Sequence, residues 1–140
     1  MIAATKLPQG TTAWFDMVGT LMTDFASQAN LPSDLTVSFV ECYSDGEEIA
    51  DGLMQGIRFD IQSGKPSYRT GAKREETADI MVEVTAAVAR KLNTLRSADP
   101  AYPAAQAAAI AAGEMKVDGD PLRLGAWLDA VHDPIVDRTI

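Results

Sequence analysis

The chain contains one histidine and one cysteine, so chemistry that needs either has a single place to occur. His132 is followed by Asp133, and a carboxylate beside an imidazole is the pair from which a general base and its orienting partner are built. Adjacent residues rarely point together, however, and a basic ring near a helix C-terminus is favourable by itself. The helix-end role is therefore the simpler one. Cys42 lies in a run of β-forming residues without a histidine or basic helix end beside it, and reads as a small packed side chain. One cysteine forms no internal disulfide and lacks the spaced partners of a zinc site. Asp60, Asp79, Glu83 and Glu114 would supply acid and base groups if they faced a pocket. Each alternates with apolar neighbours, which places it on the wet side of a strand. Glycine-rich phosphate loops, dinucleotide fingerprints, nucleophile elbows and zinc-protease helices are all missing from the sequence.

A different feature stands out. Trp14, Met17, Met22, Met54, Phe59, Met81, Tyr102, Met115 and Trp127 are large flexible or aromatic groups, and they share the chain with an alanine-rich segment, 104–112. Methionine adapts to irregular surfaces and alanine leaves space. Together they suit either a filled core or the lining of a cavity for an apolar ligand, and the pattern leaves both open. The net charge of −8 opposes binding to a phosphate backbone or an anionic bilayer, so nucleic acid is not an expected partner. No segment reaches the ~18 consecutive apolar residues of a membrane span, and the first residues lack the apolar core of a secretory signal. The expectation is a soluble, cytoplasmic protein without stable membrane insertion.

These residues need elements to hold them. A length of 140 residues, 46% hydrophobic and 23% charged, predicts one folded domain with a core of its own. The core should span about 11–132, with 1–10 and 133–140 as loose tails. Thr11 or Thr12 caps a first amphipathic helix in which Trp14, Val18, Leu21, Met22 and Phe25 share a face. Thr36 to Tyr43 reads as a strand, 47–52 as an exposed acidic stretch, and Leu53 to Gln62 as a second strand. Ser63-Gly64-Lys65-Pro66 then turns the chain into a partner strand around Ser67 to Gly71. Ala78 to Thr85 alternates as a fourth strand. A helix follows with Val88, Leu92 and Leu95 inward, and then an alanine-rich helix, Ala104 to Ala112, bounded by Pro100 and Pro103. Glu114, Lys116 and Asp118 alternate with Met115 and Val117 as a fifth strand. Asp120 and Pro121 are suited to cap and open a last helix carrying Leu124, Trp127, Leu128 and Val131 on one face, ending near His132-Asp133-Pro134. Strands grouped before the later helices predict an α+β fold, a single sheet with helices on one face.

Gly113-Glu-Met-Lys-Val-Asp-Gly-Asp-Pro, set between a helix of small residues and a leucine-rich helix, resembles the closing motif of sterol carrier protein type 2 domains. Gly56 to Ile61, Gly64-Lys65-Pro66 and Ala78-Asp79-Ile80-Met81-Val82 are similar to that family's strand, turn and strand. The resemblance covers about Leu35 to Leu128. The acidic segment 47–52 and Asp99-Pro100-Ala101-Tyr102-Pro103 depart from it. The resemblance implies a mixed five-stranded sheet and an apolar tunnel between sheet and helices that binds or transfers a lipid, sterol, acyl chain or isoprenoid without cofactor or metal. Carried over by position, Phe59, Val82 and Met115 would line the tunnel from the sheet. Val88, Leu92, Leu95 and Ile110 would line it from the middle helices, and Leu124, Trp127 and Leu128 would form its lid. Trp14 and Val18 would close the far end. The alternatives are a small enzyme acting on an apolar substrate, with Asp99, Tyr102 or His132 as acid and base, or an accessory subunit paired with an enzyme or with a second copy of itself.

Overall fold

A strand paired on both edges sets the architecture. In the computed structural model, which describes residues 5–140, strand β1 (Val37–Tyr43) lies between β3 (Leu53–Gln62) and β5 (Ile80–Val84). It pairs antiparallel with β3 and parallel with β5, so the sheet is mixed. Strand β4 (Lys65–Lys73) forms the outer edge beyond β3, and β6 (Met115–Asp118) the opposite edge beyond β5. The β3–β4 hairpin turns on Ser63 and Gly64, both at positive φ (51° and 76°). Two such residues in a row match the right-handed twist of the flanking strands.

Among the described residues, the sheet has six strands rather than five. The extra one, β2 (Glu48–Ala50), falls in the stretch expected to be an exposed acidic loop. It continues along the β1 edge of β3, with Glu48 opposite Met54 and Ala50 opposite Leu53. None of its residues is buried, so no apolar alternation marks it in the sequence.

Among the described residues, four α-helices complete the fold: α1 (Thr12–Gln28), α2 (Ala86–Leu92), α3 (Ala101–Ala111) and α4 (Trp127–Asp137). Thr11 caps α1 as expected, its hydroxyl accepting from the Trp14 N–H at 3.2 Å. Helix α1 crosses β3 and β4 and packs on α4, while α3 lies beside α2 and β6. Helix α3 begins before Pro103 rather than after it, since a proline in the first turn removes a donor that would have no partner there. The last helical segment is divided. Asp120 does cap it, its carboxylate accepting from the Leu122 N–H at 3.0 Å, but Pro121–Leu124 forms only a 3₁₀ turn. Gly125, at φ 122°, then breaks the backbone before α4 starts. Helix α4 in turn runs through His132 and Pro134 to Asp137.

Neither tail is loose where it is described. The Leu7 N–H donates to the Arg138 carbonyl at 2.8 Å and the Ile140 N–H to the Leu7 carbonyl at 2.9 Å. The expectation for residues 1–4 lies outside the described residues.

The sheet face away from the cavity carries an ion network. Arg58 and Arg69 stand opposite each other across β3 and β4, a like-charge pair that would be unfavourable alone. Glu76, its side chain 8% exposed, bonds both, and Asp60 takes the other edge of Arg58 at 3.0 Å. Burial works to raise the Glu76 pKa, but hydrogen bonds from Arg69, the Lys73 backbone and Arg58 outweigh it and hold the carboxyl below its ordinary range.

The α1–β4 contact depends on Gly19, where an added Cβ would come within 2.2 Å of the Tyr68 ring. Helix propensity alone would make Gly19→Ala stabilising by up to ~1 kcal/mol. Overpacking against Tyr68 reverses the sign, and urea denaturation should show a loss of ~1–3 kcal/mol.

Candidate functional site

The inward residues of the sheet do not meet the helices everywhere. A cavity of about 490 Å³ separates them. Its floor is Phe39 and Glu41 of β1, Ile57 of β3, Val82 and Val84 of β5, and Met115 and Val117 of β6. Trp14, Val18 and Met22, one helical repeat apart on α1, form the end wall. Leu128, Val131, His132 and Ile135 of α4 form the roof, and Ala89 and Leu92 of α2 with Tyr102, Gln106 and Ile110 of α3 form the remaining wall. The alanines of α3 are too short to fill the gap, and Ala109 is that helix's one buried residue. Ile110 and Val117 border the cavity yet are 53% and 40% exposed, so it opens to solvent between α3 and β6.

Among the residues expected to line a tunnel, Trp14, Val18, Val82, Leu92, Ile110, Met115 and Leu128 border this cavity. Phe59, Val88, Leu95, Leu124 and Trp127 do not. Phe59 does point to the same side, but the Trp127 ring covers it at 5.5 Å between centroids. Trp127 in turn donates its indole N–H to the Leu124 carbonyl at 2.7 Å. Leu124, with 0% exposure, is structural. The break at Gly125 rotates this segment out of phase with a continuous helix, which is why Leu124 and Trp127 sit in the core instead of forming a lid. On α2 the inward face is Ala89 and Leu92, one residue round from Val88. The helix stops at Leu92, leaving Leu95 off the stripe.

The acid and base candidates separate in the same way. Asp99 is exposed and bonds the Ala101 N–H at 2.9 Å, serving the start of α3. Asp133 turns from His132 to accept from the Ser97 backbone N–H and hydroxyl at 2.8 and 2.7 Å, which hold its carboxyl below the usual range. His132 is not at a helix end. It faces the cavity and stacks on Tyr102 at 4.2 Å. Its Nε2 donates to the Leu95 carbonyl at 2.7 Å, which places the proton there and leaves Nδ1 toward the Tyr102 hydroxyl at 3.5 Å. Gln106 donates to that hydroxyl at 3.3 Å. Cys42 points away from the cavity, and burial, reinforced by Glu83, Glu41 and Glu76, pushes its thiol up, against any nucleophilic role.

One functional candidate escaped the sequence reading. Glu41 sits in the floor, opposite Ile57 on one neighbouring strand and Val82 on the other. No donor bonds its carboxyl among the described residues. Burial raises its pKa from 4.5 to about 7. The signal was available: Val37, Phe39, Glu41 and Tyr43 form the inward series of β1, and a carboxylate interrupts it.

Fold and site together define an α+β protein with a largely apolar cavity between a mixed sheet and its helices, open to solvent beside α3 and β6. No family model matches the chain, and no curated protein does. Among solved structures, it is similar to sterol carrier protein 2 at 12% identity, over 94% of this chain and 99% of that one, with a TM-score of 0.49. Sterol carrier protein domain 2 of Helicoverpa armigera is similar at 15% identity, over 99% and 98%, with a TM-score of 0.48. The inverting sec-alkylsulfatase Pisa1 from Pseudomonas sp. is similar at 23% identity and a TM-score of 0.45, over 81% of this chain, which spans only 15% of the sulfatase. Sterol carrier protein 2 domains are thus among the structural neighbours over nearly the whole chain. Likeness at this level carries over no ligand or activity.

Because folding raises the Glu41 pKa, the native state holds an extra proton between pH 4.5 and about 7, and stability from this group is lost as pH rises through that window. Glu41→Gln should remove the loss. Its stability, followed by urea denaturation at pH 5 and pH 8, should rise relative to wild type at the higher pH by ~1–3 kcal/mol.

Proposed function

We propose that this chain binds an apolar small molecule in the cavity and carries or sequesters it. The observation that supports this is the void itself: about 490 Å³ in the interior of a 140-residue chain, within the range of small-molecule sites and walled largely by Val, Ile, Leu, Met and Trp. Native cores leave few gaps larger than a water molecule, and a space of this size, open to solvent beside Ile110 and Val117, supports a ligand site. Binding would draw on removal of apolar surface from water at ~25 cal/mol per Å². The partly exposed Ile110 and Val117 give the ligand an apolar threshold. A lipid, sterol, acyl chain or isoprenoid all have the required body. No helix among the described residues is long and apolar enough to cross a membrane, and the net charge of −8 disfavours anionic surfaces. Ligand exchange would therefore use a neutral surface or a protein partner, an enzyme or a second copy of this chain.

One observation favours a second reading. Glu41, with its raised pKa, shares the cavity with the Tyr102–His132 stack, and perturbed acids in clefts mark candidate acid–base sites. An enzyme would convert the molecule that a carrier only holds.

Ala89 borders the cavity with a small side chain, so Ala89→Phe should fill the void while keeping the fold. Nile red, a neutral apolar dye, should bind wild type saturably by fluorescence titration. The variant should bind at least about tenfold more weakly. Equal affinities, or no saturable binding by the wild type, would overturn the proposal.

A further inference from the structure

The cavity is apolar in shape but biased in charge. Two carboxyls, Glu41 in the floor and Asp129 beside the roof, border it, and no lysine or arginine does among the described residues. The side-chain donors that face it are mostly engaged: His132 Nε2 with the Leu95 carbonyl, Gln106 with the Tyr102 hydroxyl, and Tyr102 toward His132. Neither carboxyl has a protein donor among the described residues, but Asp129 is exposed to water, whereas Glu41 is set in the floor between Ile57 and Val82 on a strand whose backbone is paired on both edges. Glu41 is half-buried among apolar neighbours, so its carboxyl gives up part of its hydration without gaining a protein donor, and a hydrogen bond to a charged group is among the stronger contacts a protein makes.

We infer that the ligand carries a hydrogen-bond-donating head, a hydroxyl or an ammonium, on its apolar body, that Glu41 accepts from it, and that the cavity discriminates against free carboxylates. This rests on the reading of the cavity as a ligand site and adds the class of molecule. A carboxylate would meet Glu41 and Asp129 with no lining cation to offset them, and like charges on a largely apolar surface repel one another. An ammonium would hold Glu41 ionised and leave both charges paired. A hydroxyl would satisfy the carboxyl in either protonation state.

The test uses three ten-carbon probes that differ only in the head: decylammonium, 1-decanol and decanoate, titrated calorimetrically into wild type, Glu41→Gln and Glu41→Leu at pH 7.5. Wild type should bind decylammonium and decanol at least about tenfold more tightly than decanoate. Glu41→Leu should compress the decanol-to-decanoate ratio to about threefold or less while still binding decanol, and Glu41→Gln should lose most of the preference for decylammonium. If wild type binds all three alike, the head-group inference fails while the apolar cavity stands. If Glu41→Leu keeps the full preference, selectivity comes from the overall negative charge and the inference also fails. If none of the probes binds, the inference falls together with the cavity reading.

Discussion

The contact between Phe59 and Trp127 decides where the roof of the cavity sits. Phe59 is fully buried on the inner face of β3, and Trp127, the first residue of α4, lies on it with ring centroids 5.5 Å apart. The indole N–H is spent on the Leu124 carbonyl, so the ring is held by its polar handle as well as its faces. That fixes the start of α4 against the sheet. At the other end, the Trp14 indole donates to Thr139 at 2.9 Å and the backbone of Leu7 clasps the chain end. Pinned at both ends, α4 presents Leu128, Val131, His132 and Ile135 to the space between. The cavity is a consequence of where the large aromatic groups are placed.

The opposite wall is open for a complementary reason. Helix α3 offers the interior Ala109 and little else that is buried, and α2 offers Ala89 and Leu92. Small side chains on two short helices cannot reach a sheet already held apart from α4. The missing packing lowers stability, and an ionisable Glu41 in the floor lowers it further. Both penalties fall in one place, and local departures from good packing concentrate at functional sites.

Much of this frame was legible in the sequence, and the reasons for the rest are physical. Alternation over Ile57, Phe59 and Ile61, and over Ile80, Val82 and Val84, identified inward faces because one side of each strand is buried. Thr11 and Asp120 announced helix starts through cap chemistry. Strand β2 was silent because nothing in it is buried. The segment after Pro121 was misread because Leu124, Trp127, Leu128 and Val131 fit one helical repeat. The Gly125 backbone that interrupts it is a three-dimensional fact. Leu124, Trp127 and Phe59 were rightly seen as apolar and inward, yet they touch one another and leave the cavity to their neighbours. Val88 and Leu95 failed by the register and length of a short helix. Glu41 was visible as an exception within the alternating series of β1, and its meaning required knowing that β1 is paired on both edges.

The central claim is that the interior void is a ligand site. Native mass spectrometry of the protein purified from its own host, followed by denaturing release and identification of small molecules, tests it most directly. The account predicts a one-to-one adduct with an apolar molecule that is released on unfolding. A chain that runs only at its own mass, and gains no adduct when mixed with lipids, sterols and long-chain alcohols, would contradict it.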